Sequence, residues 1–342
     1  MPKHRGNRAI DTPLLNDDAI QRAPSRRVFL GLAAVSCWPA RRLIAAAGRS
    51  KRILKLDPVT PLSVVAEVVN PHVVNGAVVH HPLVREMLDA ALKAVTGAPG
   101  AREAWRGLLG EDDVVGLKFN RSGQFVIGTT PSFAGALIES LIAAGFGPER
   151  IMCLEAPDGV EEQFGCRPAP AGYAREETEF GSGSDQLASA LAEITAIINV
   201  PFLKDHNIAG MTCALKNLSH GLVKHPARFH GNRCSPYVAD IVALPEIRDK
   251  LRLNLVDGLR VVFDGGPDAT SYNVADAGFV LASTDPVAVD AVGLTIINRV
   301  RKARGLAELA SGPGDIDYLA AAHIRGLGIA VAHGINIVRP DA

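Results

Sequence analysis

Cysteines, aromatic residues, long apolar runs and any surplus of charge are all scarce in this chain, and each scarcity removes a class of function. Its 342 residues carry 36 Lys+Arg against 36 Asp+Glu, so no basic excess argues for DNA or RNA as the main partner. Five cysteines with no C-x-x-C spacing do not make a disulfide scaffold or a [4Fe–4S] ferredoxin module. No apolar run reaches the roughly 20 residues needed to cross a bilayer, so no transmembrane span is expected. A G-x-G-x-x-G turn leading into a helix, a Walker A loop and a G-x-S-x-G elbow are all missing. NAD, ATP and a serine nucleophile therefore have no sequence support. What is present is 47 % hydrophobic residues, ample for a globular core.

The first fifty residues read as an address. Ser25-Arg26-Arg27-Val28-Phe29-Leu30 is a twin-arginine pattern, the apolar run Val28–Ala40 has the length of a signal-peptide core, and Ala45-Ala46-Ala47 offers a small-residue cleavage site before Gly48. Residues 1–47 are thus expected to be a twin-arginine signal peptide. The export machinery would be a partner, and the periplasm or cell envelope the destination. Residues 48–342 read as a single α/β domain, or as two lobes at about 48–200 and 201–342.

Apolar strands alternate with helical patterns along the rest. Val114–Phe119 reads as a buried strand, Ser132–Ala144 as a helix and Arg150–Leu154 as the next strand, a strand–helix–strand unit of a parallel sheet. A long polar loop is expected over Ala156–Ser184 and a helix over Asp185–Ile194, before the strand Ala196–Val200. Later come a helix at Pro236–Leu244, strands at Arg252–Val256, Arg260–Phe263 and Gly278–Ala282, and helices at Pro286–Arg301 and Asp315–Arg325. Asp257-Gly258 and Asp264-Gly265-Gly266 look like turns, and Asp285 like a helix N-cap. The predicted class is α/β, a largely parallel sheet flanked by helices, with Rossmann-like units that lack a dinucleotide fingerprint.

Polar residues concentrate at strand ends, where open α/β sheets bind ligands. Lys118 and Asn120 end one strand; Lys204 and His206 end another; both pairs are two apart and so face one way. Thr212, Lys216 and His220 repeat every four residues and would share a helix face. Four of the ten histidines fall between positions 206 and 230. Together Lys118, Asn120, Lys204, His206, Lys216 and Asn217 suit a small anionic ligand. Lys216, in apolar surroundings, needs a partner or a ligand, and His206 or His230 is the natural proton-transfer group. A metal ion would take His206, His220 and His230.

Lys118-Phe-Asn120, Pro201-x-x-Lys204-x-His206, Leu215-Lys216-Asn217-x-x-x-Gly221, His230, Val256-Asp257-Gly258, Gly265-Gly266-Pro267 and Ala282-x-x-Asp285-x-x-Ala288-Val289-Asp290, taken as a series, resemble the domain of unknown function 362 family from Val114 to Gly328. The resemblance implies Asp257 and Asp285, both after strands, as further ligand-binding residues. Some relatives carry an attached iron–sulfur module, whose cysteines this chain lacks. The expected function is that of an exported enzyme acting on or with an anionic ligand, in its sharper form with metal-dependent redox or isomerase chemistry. The rival is a non-catalytic anion- or metal-binding protein of the cell envelope.

Overall fold

Gly- and Pro-punctuated apolar runs build one large mixed sheet with helices on both faces, seen in a computed structural model that describes residues 63–121, 128–267 and 269–341. The twin-arginine pattern and its cleavage site lie outside the described residues. The first elements are β1 (Ser63–Val69), the small ribbon β2 (Val74–Asn75) and β3 (Val78–Val79), then α1 (His81–Thr96), α2 (Ala101–Leu108), β4 (Val115–Lys118), α3 (Pro131–Ala144) and β5 (Ile151–Leu154). Next come α4 (Val160–Phe164), β6 (Arg167–Pro168), β7 (Thr178–Phe180), β8 (Gly183–Asp185), β9 (Ala196–Asn199), β10 (Phe202–His206), β11 (Gly210–Thr212) and α5 (Ala214–His220). The chain continues through α6 (Tyr237–Val242), α7 (Pro245–Arg248), β12 (Leu251–Val262), β13 (Val274–Ser283), α8 (Pro286–Lys302), α9 (Asp317–Ile324) and β14 (Ile335–Val338).

The sheet runs β14-β1-β13-β12-β9-β4-β5-β6, with β10 attached to β12 and β11 to β10. Most pairings are parallel; β13 runs antiparallel to its neighbours β1 and β12, and β11 antiparallel to β10. This is the α/β class expected from the alternation of elements. Period-two alternation in the strands divides the core in two. Leu117, Ile198, Leu253, Leu255 and Ala282 face α1, α2 and α3, whereas Ile197, Val256 and Leu281 face α5, α6, α8 and α9. No helix among the described residues is long and apolar enough to cross a membrane.

Several local expectations are corrected. The helix expected over Asp185–Ile194 is instead the end of β8 and a single 3-10 turn, Ser189–Ala192, and the presumed loop before it holds α4, β6 and β7. The two strands expected at Arg252–Val256 and Arg260–Phe263 are one, β12. Gly258 makes no turn there: it sits at a register shift, and a Cβ on it would collide with the Phe279 ring, so glycine serves close packing at a bulge. Thr212 belongs to β11 rather than to α5, which leaves Lys216 and His220 without it on the helix.

Helix starts are chemically explicit. Thr130 Oγ1 accepts from the Phe133 N–H at 3.2 Å to cap α3. At α8, Asp285 Oδ1 accepts from Val287 N at 2.8 Å and Ala288 N at 2.9 Å, with Pro286 in the first turn. Its other oxygen accepts from Ser63 Oγ at 2.5 Å and Ile329 N at 2.8 Å. Asp285 is thus committed to holding α8, β1 and the segment after α9 together. Asp285→Ala is expected to lower unfolding free energy by about 2 kcal/mol, measured by urea denaturation; an unchanged midpoint would contradict this role.

Candidate functional site

Because Leu117, Ile198, Leu253 and Ala282 point to one face of the sheet, their successors Lys118, Asn199, Asn254 and Ser283 must point to the other, under α5 and α8. Strand register then sets these four side by side: Lys118 pairs with Asn199, Asn199 with Asn254, and Asn254 with Ser283. All four are buried, and buried polar groups must bond to one another. Asn199 Nδ2 donates to Asn254 Oδ1 at 2.9 Å and to Ala214 O at 3.1 Å. Asn254 Nδ2 donates to Ser283 O at 3.1 Å, and Ser283 Oγ to Val64 O at 2.7 Å. A polar row thereby crosses the sheet from β4 to β1.

Asn217, on α5, joins this row to the lysines. Its Oδ1 accepts from Lys118 Nζ at 3.2 Å and Asn120 Nδ2 at 3.0 Å. Its Nδ2 donates to Lys118 O at 3.1 Å and Asn199 Oδ1 at 2.8 Å. Every bonding position of that amide is filled. Lys118 completes its shell with Phe119 O at 2.7 Å and Glu155 Oε2 at 3.0 Å. Glu155 adopts φ 54°, a left-handed conformation uncommon for a non-glycine residue. Asn120 Oδ1 accepts from Lys204 Nζ at 3.1 Å, which brings β10 into the network. Burial pushes the Lys204 pKa down to about 8, and the Lys216 and Lys118 charges add to the effect while Glu155 opposes it. Burial likewise takes Lys216 down to about 8, with Cys234 opposing.

Asp290 of α8 fixes α5 in place. Fully buried, it accepts from Ala214 N at 2.6 Å and Leu215 N at 3.3 Å, and burial raises its pKa to about 7 against those hydrogen bonds.

The histidines divide by tautomer. His206 Nδ1 accepts from the backbone N–H groups of Ile208 and Ala209, both at 3.2 Å. The proton of the neutral ring therefore sits on Nε2, and the ring is a donor. Burial, reinforced by Lys216, His230 and Lys204, depresses its pKa to about 3, so His206 stays neutral near pH 7. His230 differs: Nδ1 lies 3.1 Å from Pro226 O and must donate to it. Nε2 is left as a lone pair 3.2 Å from Lys216 Nζ. His230 stacks on His206 with ring centroids 5.3 Å apart and meets His220 edge-on at 4.6 Å. His206 also lines a cavity of about 820 Å³, together with Asp205, Arg233, Asp264 and Arg301.

The structure thus brings together Lys118, Asn120, Lys204 and Asn217 in one hydrogen-bonded network, and Lys216, His206, His220 and His230 in an adjoining cluster. Asp257 and Asp285 stand apart from both. Asp257 is fully buried, accepts from Thr130 N at 2.9 Å and Leu259 N at 3.2 Å, and has its pKa raised by burial to about 6; its carboxylate fastens the start of α3 to β12. Among the described residues the possible metal ligands that converge are His220, His230 and Cys234; of the expected His206, His220 and His230, His206 is not in the group. Asn199, Asn254, Glu155 and Cys234 were missed as site residues. An asparagine inside the apolar run Leu253-Asn254-Leu255 was the available signal, since a buried strand has no other use for an amide.

The family model described as Domain of unknown function (DUF362) matches residues 115–295, a span that contains β4 through most of α8 and every lysine, asparagine and histidine of the site. No curated protein matches the chain.

Asn217→Ala would strip Lys118, Asn120 and Asn199 of a partner at once. The expected loss is about 3 kcal/mol of unfolding free energy, read from denaturant titration. A loss below about 1 kcal/mol would mean that the amide is not the junction described.

Proposed function

The chain belongs to the DUF362 family, and from that premise we propose that it is an enzyme that binds a small carboxylate- or phosphate-bearing ligand through Lys204, His206 and Lys216. Lys118, Asn120 and Asn217, expected from sequence to bind it too, hold Lys204 in place through the hydrogen bonds they already make. The observation that carries the reading is the convergence of ammonium groups from β4, β10 and α5 on one buried cluster. Charges of one sign are costly to bury together. Glu155 neutralises Lys118, and a bound anion would offset the repulsion that Lys118 and Lys216 exert on Lys204. The neutral His206 supplies an Nε2–H donor to such an anion.

Lys216 and His230 supply the acid–base pair. An amine brought down to about 8 can both give and take a proton near neutral pH, and the His230 Nε2 lone pair 3.2 Å away receives it. This favours proton transfer at the ligand, isomerase-type chemistry, over hydride transfer, for which no nicotinamide motif exists. The proposal extends to the rest of the chain. Residues 48–342 would be one α/β domain, exported to the periplasm or cell envelope by the twin-arginine route on the strength of Ser25–Leu30 and Ala45–Ala47. Saturable anion binding without turnover, across a panel of hydroxy and keto acids, would favour the rival envelope-binding protein.

The pH dependence has a definite sign. Anion binding needs Lys204 and Lys216 protonated, so calorimetric affinity for phosphate or a small carboxylate should fall above about pH 8, by about tenfold per pH unit for each lysine lost. The ligand-free protein should gain stability over the same rise, since both groups hold protons less tightly folded than unfolded. Lys204→Met should weaken binding at least about tenfold at pH 7. Affinity that is flat from about pH 7 to about pH 9.5, or unchanged in Lys204→Met, would contradict the proposal.

A further inference from the structure

We propose that His220, His230 and Cys234 form a zinc site beside Lys216. One ligand atom from each residue lies within 4.8 Å of the other two. The set of two imidazoles and one thiol is nitrogen and sulfur only, which suits Zn²⁺ and disfavours Mg²⁺ and Ca²⁺. Three protein ligands leave the fourth position of a tetrahedral ion open, as in catalytic rather than structural zinc sites.

Both imidazoles are oriented as metal ligands are. A ligating histidine donates its remote N–H to an oxygen that fixes its tautomer. His230 does this through Nδ1 to Pro226 O at 3.1 Å. For His220, Ser219 Oγ lies 3.1 Å from Nδ1 and can accept its proton while giving its own to Lys216 O at 3.3 Å. In that tautomer His220 Nε2 is a lone pair, and it is buried with no hydrogen-bond partner among the described residues. A buried acceptor left bare is costly and calls for an explanation; a metal ion is one.

The backbone carries the third, independent sign. Asn232, Arg233 and Cys234 have φ of 48°, 55° and 65°, three successive non-glycine residues in the left-handed region. Such a run is unfavourable, least so for Asn232, and persists where the surrounding structure over-determines it, as at functional sites. Here it turns the Cys234 side chain fully inward, against the histidines. As it stands, Lys216 Nζ occupies the His230 lone pair. Metal binding displaces that ammonium, so the ion and Lys216 become joint neighbours of whatever enters the site.

Anion binding needs no metal, but the acid–base pairing of Lys216 with His230 belongs to the metal-free chain, because zinc would take the His230 Nε2 lone pair. The test is titration of the chelator-treated full chain with Co²⁺ and then Zn²⁺. The expected result is a thiolate-to-cobalt charge-transfer band at one equivalent, bleached by Zn²⁺. Cys234→Ser should abolish the band, and His220→Gln, should the serine variant fail to fold, should weaken Zn²⁺ binding by more than about tenfold. Ser219→Ala should weaken it about tenfold through loss of the tautomer lock, and Cys153→Ser should leave band and affinity intact. Absence of the band in folded protein, its survival in Cys234→Ser, or its loss in Cys153→Ser would overturn the site. Phosphate binding measured on the same metal-free chain reports on the anion reading separately.

Discussion

An ammonium group withdrawn from water must be surrounded by oxygen, and the side-chain amide of Asn217 is what makes this feasible for Lys118 deep in the sheet. That amide holds Lys118 Nζ and Asn120 Nδ2 on its oxygen and Lys118 O and Asn199 Oδ1 on its nitrogen. Asn120, oriented in this way, presents its own oxygen to Lys204. Two strand ends and a helix are thus tied by one planar group. An apolar residue at position 217 would take one partner from the buried Lys118 charge and one from each of the Asn120 and Asn199 amides, which is worse than losing packing contacts alone.

The polar row across β4, β9, β12 and β13 has a second consequence. Each member is buried between an apolar layer on its own strand and the first turns of α5 and α8. Asn199 bonds Ala214 O at the start of α5, and Asp290 holds the Ala214 and Leu215 N–H groups. The position of Lys216 and Asn217 is therefore set from below by the sheet and from behind by α8. Such supporting contacts give a site rigid geometry. The loop after α5 is free of that scaffold, and there the chain adopts the left-handed run 232–234 that delivers Cys234 to His220 and His230.

Much of the site was legible as spacing. Lys118/Asn120 and Lys204/His206 are pairs two apart at strand ends, and Lys216 and His220 lie four apart on α5, so local periodicity nominated them; it also nominated Thr212, which lies on β11 instead, and it did not nominate Asn217. Asn199 and Asn254 could not be nominated this way, because their roles depend on which strands are neighbours and in what register. Asp257-Gly258 misled for a related reason: a glycine after an aspartate reads as a turn, yet this glycine yields space to Phe279 inside β12. Asn232 is a residue that accepts positive φ, but nothing in Arg233-Cys234 announces that the left-handed run continues through them. His206 shows the limit of residue type as a guide. Histidine suggests a base, but two backbone N–H groups occupy its Nδ1 and make it a donor.

The claim that the buried ammonium groups exist to meet a negative charge is tested most directly by following the Lys204 and Lys216 side chains by NMR, with and without phosphate. The account predicts midpoints near pH 8 in the free protein that move upward when the anion binds, because the anion favours the charged form. Midpoints at the ordinary lysine value in the free protein, or midpoints that phosphate leaves in place, would contradict it.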